Sequence, residues 1–141
     1  MAGKKPELIV VCGAGRLGAS LASRFSERGY NITIIDKKAD SFRKLADSFS
    51  GYSVIGDATD IEVLQQNKAD RAAIVFATTN NDNTNSFIGQ IAGRIFGVPS
   101  VYVRINDEDK VELLSKYENI TAISPTALFM AEFEEMSGIK L

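Results

Sequence analysis

Apolar and polar positions follow two rhythms that take turns along this chain. Short apolar runs at Leu8–Cys12, Asn31–Asp36, 52–56, 72–77, 100–105 and Ile120–Ile123 have the length and residue types of buried strands. Between them, apolar residues recur three or four apart, as on one face of a helix. Leu17, Leu21 and Phe25 mark a helix over 16–28 that Gly29 ends, and Phe42, Leu45, Ala46 and Phe49 mark a second that stops before Ser50-Gly51. Asp60 caps a short helix with Ile61 and Leu64, Asp107 one with Val111, Leu113 and Leu114, and Ser124-Pro125 starts a last one with Leu128, Phe129, Phe133 and Met136. A broader stripe, Phe87, Ile88, Ile91, Ala92, Ile95 and Phe96, ends at Gly97. The run at 72–77 is apolar almost throughout, which predicts burial on both faces. Six strands alternating with helices over short loops predict an α/β fold, a doubly wound parallel sheet. Right-handed crossovers and a turn after strand one give the strand order 3-2-1-4-5-6.

That turn carries the candidate chemistry. Strand Leu8–Cys12 breaks into Gly13-Ala14-Gly15-Arg16-Leu17-Gly18, the spacing that cradles a pyrophosphate at a helix N-terminus. Gly13 permits the turn, Gly15 lets backbone approach the phosphates, and Gly18 lets the helix pack close to the strand. Strand two ends in Asp36, eighteen residues after Gly18, where a ribose-binding carboxylate belongs. Asp36 suits NAD or adenosine and meets a 2′-phosphate with like charge, which disfavours NADP. Lys37 and Lys38 read as a solvated pair that could also reach toward phosphate. Arg16 stands at the mouth of the cradle, where a guanidinium can bind phosphate oxygens. Asp57 and Ala58 follow strand three, either as a turn that starts a helix or as a ligand contact. Thr78, Thr79 and Asn80 lie at the strand-four exit, across the switch point from the glycines. Asp82 and Asn85 either cap the next helix or meet ligand, and Arg104 either pairs with a carboxylate or points at phosphate.

Composition narrows what this site can do. The net charge is −2 with no basic block, which disfavours nucleic acid and anionic lipid. No apolar run approaches membrane-spanning length, and the start of the chain does not read as a signal peptide. The single cysteine, Cys12, excludes an internal disulfide, suits a reducing cytoplasm and reads as a small buried hydrophobe. Without histidine, imidazole catalysis is excluded and no metal site is expected. A dehydrogenase also needs a proton relay, often Tyr-x-x-x-Lys, and none of Tyr30, Tyr52, Tyr102 or Tyr117 has lysine four residues on. No catalytic residue is assigned.

Gly13–Gly18, Asp36, Gly56-Asp57-Ala58, the Thr79…Asp82…Asn85 stretch and Val103-Arg104-Ile105 together resemble the nucleotide-binding domain of Trk/Ktr potassium-uptake regulators, the RCK or KTN domain. The resemblance runs from Leu8 to about Phe133. It implies a cytoplasmic sensor that binds NAD(H) or ATP/ADP, pairs into a homodimer or larger ring, and gates a membrane potassium transporter or channel from the inner face of the membrane. It implies ligand contact by Arg16, Asp57 and Ala58, and pairing through the late apolar helices. The chain reads as one domain over 1–141, ending before the C-terminal domain that often follows in full-length regulators. The alternative is the cofactor-binding part of an NAD-dependent oxidoreductase.

Overall fold

The computed structural model describes residues 7–141; the lead-in at 1–6, expected not to be a signal peptide, lies outside them. Six parallel strands form one sheet in the order β3-β2-β1-β4-β5-β6. They are β1 Leu8–Cys12, β2 Asn31–Asp36, β3 Tyr52–Ile55, β4 Ile74–Ala77, β5 Ser100–Arg104 and β6 Ile120–Ile123. The helices are α1 Arg16–Glu27, α2 Ile61–Gln66, α3 Asp82–Gln90, α4 Glu108–Val111 and α5 Pro125–Ser137. The fold class and strand order match the expectation. So do three caps: the side chains of Asp60, Asp107 and Ser124 accept the backbone N–H groups of Glu62, Asp109 and Ala127.

The pleat sorts β1 between two cores. Ile9 and Val11 pack with Ile32, Ile34 and Ala22 of α1 on one face, while Val10 and Cys12 pack with Leu64, Ile88, Val101 and Val103 on the other. Burial pushes the Cys12 thiol up to about 12, so it stays protonated and behaves as an apolar side chain.

Three expectations need correction. The second helix is only a 3-10 turn at Ala39–Lys44. Serines of α1 hold the segment beyond that turn, Ser23 Oγ accepting from Ala46 N at 3.0 Å and Ser26 Oγ from Ser50 N at 2.9 Å. These bonds satisfy backbone groups that a longer helix would have used, while Phe42, Leu45 and Phe49 still pack on the core. Strand β4 is two residues shorter than its apolar run and is not buried on both faces: Val75 and Ala77 are buried, whereas Ile74 and Phe76 are half-buried. Phe76 instead stacks on Tyr102, with ring centroids 5.4 Å apart. Finally, the broad stripe is α3 followed by a π-helix at Ile91–Ile95. A side chain at Gly93 would collide with Ile120, and Asn119 Nδ2 donates to the carbonyls of Gly93 and Val98 at 2.9 Å each. Close packing on β6 thus selects the wider turn.

The tightest contact joins α1 to the sheet. A Cβ at Gly18 would overlap the Gly13 carbonyl oxygen and stand 2.8 Å from Thr78 Oγ1. Gly18→Ala is expected to destabilise the chain by about 1–3 kcal/mol or more, because backbone has to give way. Urea unfolding of the two proteins measures the difference.

Candidate functional site

The carboxyl ends of the strands open into a cavity of about 690 Å³ lined by Gly13, Gly15, Arg16, Leu17, Asp36, Lys37, Thr78, Thr79, Asn80 and Arg104, all sequence-predicted site residues. A neighbouring cavity of about 320 Å³ holds Asp57 and Ala58 and shares Gly13, Asp36, Lys37 and Thr79 with the first. Ala14 and Gly18 line neither cavity and act from behind. Ala14 is fully buried and its N–H donates to Asp36 Oδ2 at 2.8 Å.

The cradle is built for an anion. Gly15 is the N-cap of α1, with no side-chain cap and no acidic residue in the first turn, so the first N–H groups face the cavity without a side-chain partner. Gly13 sits at φ +105°, and a Cβ there would lie 2.7 Å from Thr79 N. The nearest atom to a Cβ at Gly15 would be Asn80 Oδ1 at 3.9 Å. Chain packing therefore leaves room for a side chain at Gly15; adding one would take space from whatever occupies the cavity.

Asp36 is held rather than free. Its second oxygen, Oδ1, accepts Lys38 N at 2.8 Å. With one bond on each oxygen, both keep a lone pair that can accept a ribose hydroxyl. Asp57 Oδ1 accepts Thr59 Oγ1 at 2.6 Å and Thr59 N at 2.9 Å. Those bonds from Thr59, side chain first and then backbone, hold the Asp57 carboxyl below its ordinary value, with help from Lys37. Both sequence readings of Asp57 thus coexist: one oxygen makes the turn, and the other has no partner among the described residues.

The strand-four exit works differently from its expectation. Thr78 Oγ1 donates toward the carbonyls of Gly13 at 3.1 Å and Cys12 at 3.3 Å. Asn85 is fully buried and bonds Thr79 N, Thr79 Oγ1, Thr79 O and Arg104 O. Asp82 accepts Asn106 N and Asp107 N at 2.9 Å each. Neither residue caps α3, whose cap is Asn81. Asp82 and Asn85 form a clasp that ties the β4 exit to the β5 exit, and only Asn80 leaves its side chain uncommitted. Arg104 Nε reaches Asn106 Oδ1 at 3.3 Å and, among the described residues, makes no ion pair. Lys38, Ser41, Lys44 and Pro125 also line the large cavity, although Ser41, Lys44 and Pro125 were not expected there. For the first three the signal was a spacing of three, Lys38-Ser41-Lys44, which puts them on one side of a helical segment and one above another in a 3-10 turn.

Fold and site together define a Rossmann-type domain, with its cradle at the switch point between β1 and β4. The TrkA-N domain model matches residues 9–125, and the chain belongs to that family. The Trk system potassium uptake protein TrkA of Streptomyces coelicolor is 33% identical over 108 residues, 77% of this chain and 48% of that protein. The chain thus spans about half that relative's length. A GsuK channel bound to NAD is 25% identical with a TM-score of 0.72, over 96% of this chain and 24% of the channel chain. The TrkA-N domain of the Escherichia coli inner membrane protein ybaL shares the fold at 16% identity, with a TM-score of 0.79 over 95% of this chain and 98% of that one.

Burial raises the Asp82 carboxyl, but the N–H bonds from Asn106 and Asp107 and the charges of Lys110 and Arg104 outweigh it and leave it below its ordinary value. A depressed pKa adds stability that is present above the unfolded value, near 4, and is lost as pH falls through the folded value. Asp82→Asn should therefore flatten the acid limb of a melting-temperature profile below about pH 4 and lower the melting temperature at neutral pH.

Proposed function

We propose that this chain is the nucleotide-sensing domain of a potassium uptake system, binding NAD(H) or ATP/ADP in the cytoplasm and gating a membrane potassium transporter or channel. The observation that carries the reading is the charge of the cavity. Arg16, Lys37, Lys38, Lys44 and Arg104 line it against one carboxylate, Asp36, in a chain whose net charge is −2. Such a site calls for a polyanion, and the uncapped start of α1 and the open space at Gly15 support putting its phosphates there. Asp36 then takes the ribose, and Asp57 and Ala58 in the smaller cavity take the base. No histidine and no Tyr-x-x-x-Lys pair accompanies the site, so the reading is a sensor rather than an enzyme. Among the described residues no helix is long and apolar enough to cross a membrane, so the proposed place at the inner membrane face depends on the transporter partner.

A sensor also needs an output, and α5 supplies one in this reading. Ser124, its N-cap, donates to the Asn106 carbonyl at 3.2 Å, and Asn106 accepts from Arg104 at the cavity. Pro125, the first residue of α5, lines the cavity itself. No residue of α5 is buried, and it exposes Phe129 at 73% and Met136 at 79%. An apolar helix in that state fits an interface with a second copy, as in a homodimer or larger ring.

Thermal shift against NAD, NADH, ATP, ADP, NADP and adenosine tests the ligand class. A true ligand at a hundred times its Kd adds roughly 2.7 kcal/mol of stability. Ligands without a 2′-phosphate should outrank NADP. Arg16→Ala should weaken ATP more than ADP and leave adenosine nearly unchanged; a common loss for all three would reduce Arg16 to a support of the turn. Light scattering tests the output. The protein should run as a dimer or larger, and Phe129→Ser with Met136→Ser should shift it toward monomer with nucleotide binding intact.

A further inference from the structure

We propose that Lys38, Ser41 and Lys44 form a second phosphate subsite in the large cavity, apart from the glycine turn, which takes one further phosphoryl group of the bound nucleotide. The proposal rests on the nucleotide-binding reading above and concerns how many phosphates that site engages.

The 3-10 turn at Ala39–Lys44 sets the geometry. With about 3 residues per turn, positions three apart lie one above another, whereas in an α-helix they drift around the axis. Lys38, Ser41 and Lys44 are spaced by three, and all three line the cavity. The Lys38 N–H bond to Asp36 Oδ1 fixes the start of the stripe beside the ribose-binding position. The turn also sorts its charges. Arg43 and Asp40, which do not line the cavity, pair with each other at 2.9 Å. Lys38 and Lys44 have no carboxylate partner among the described residues, and the half-buried Ser41 hydroxyl makes no hydrogen bond there. Two ammonium groups and a hydroxyl, all donors and all unspent, therefore face one space.

That set matches a phosphate monoester, which carries close to two negative charges at neutral pH and three acceptor oxygens. The uncapped N–H groups of α1 serve the proximal phosphates at the glycine turn in that reading, and Arg16 approaches the distal phosphate from the same side. The lysines are surplus to a nucleotide with a single 5′-phosphate and acquire a partner when the ligand brings another. Two sources share this chemistry, the distal phosphate of a 5′-triphosphate and a phosphate on the adenosine ribose. Asp36 opposes the second by like charge, so the distal phosphate is the expected occupant.

The test is calorimetry on the full chain with AMP, ATP, NADH and NADPH, comparing the natural protein with a Lys38→Gln/Lys44→Gln variant. Both positions are exposed, and a melting curve checks that the variant folds. The variant should lose ATP affinity by about tenfold, with AMP and NADH changed less than about twofold. Its ATP affinity should also fall less steeply with salt. A selective loss of NADPH instead keeps the subsite and assigns it to the ribose phosphate. Equal losses for all four ligands, or none for any, overturn the proposal. If the natural protein binds neither AMP nor NADH, the nucleotide reading itself fails, which is a separate result. Ser41→Ala should give a smaller selective loss in the same direction.

Discussion

Helix α1 rests directly on the turn that precedes it, and the architecture of the cavity depends on that contact. Gly18 lies so close to the Gly13 carbonyl that no side chain fits, and Thr78, from the neighbouring strand, donates to the same carbonyl. The glycine turn and the start of α1 are thereby locked to the distant β4 exit at the switch point between β1 and β4. The axis of α1 is set so that its first N–H groups open into the cavity instead of meeting protein. Gly15 is a different kind of glycine. Internal packing forbids a side chain at Gly18, but at Gly15 the nearest atom would be 3.9 Å away. A glycine that the folded chain does not require points to something outside the chain that does.

Around this lock, polar side chains work as fasteners more often than as contacts. Asp36 joins the glycine turn to the segment after β2, and Asp82 with Asn85 joins the exits of β4 and β5. Each is satisfied by backbone groups, the arrangement that makes a buried or half-buried polar group stabilising rather than costly. The cations contrast with this. Among the described residues the single ion pair is Arg43–Asp40, with both side chains 80% exposed, and it contributes little. Among the described residues the cavity cations make no ion pair, although Lys37 and Arg104 help hold the carboxyls of Asp57 and Asp82 ionised. An anion that binds them adds stability by mass action, so stability and ligand binding are coupled.

How much of this was legible in the sequence depended on which force decided each element. Apolar runs and helix caps are local signals, and the strand order and the caps at Asp60, Asp107 and Ser124 came from them. The glycine spacing and the distance to Asp36 located the cavity, because both are properties of one βαβ unit. The hidden features depended on distant partners. Serines of α1 hold residues 46 and 50 and shorten the second helix to a 3-10 turn. Contact with β6 opens α3 into a π-helix at Gly93. The lysine stripe depended on the same context: its spacing of three is visible in the sequence, but that this side of the turn lines the cavity follows from the tertiary fold.

The cavity and the proposed output helix lie next to each other in this chain, and that proximity has a physical consequence. Pro125 belongs to both the cavity wall and the first turn of α5, and the bonds from Arg104 through Asn106 to Ser124 run alongside it. Among the described residues the Arg104 side chain makes one hydrogen bond, 3.3 Å to an amide, so a phosphate reaching it would compete on favourable terms, as charge-assisted bonds are the stronger kind. Helix α5 has no buried residue to anchor it against a shift at its N-terminus. A displacement at Asn106 would meet little resistance from this chain's own core along the thirteen residues of α5. Any partner that packs on α5 supplies the missing resistance. In the proposed reading the free energy of the nucleotide would then be expressed at that interface, because it is there that two arrangements of α5 would differ in buried area.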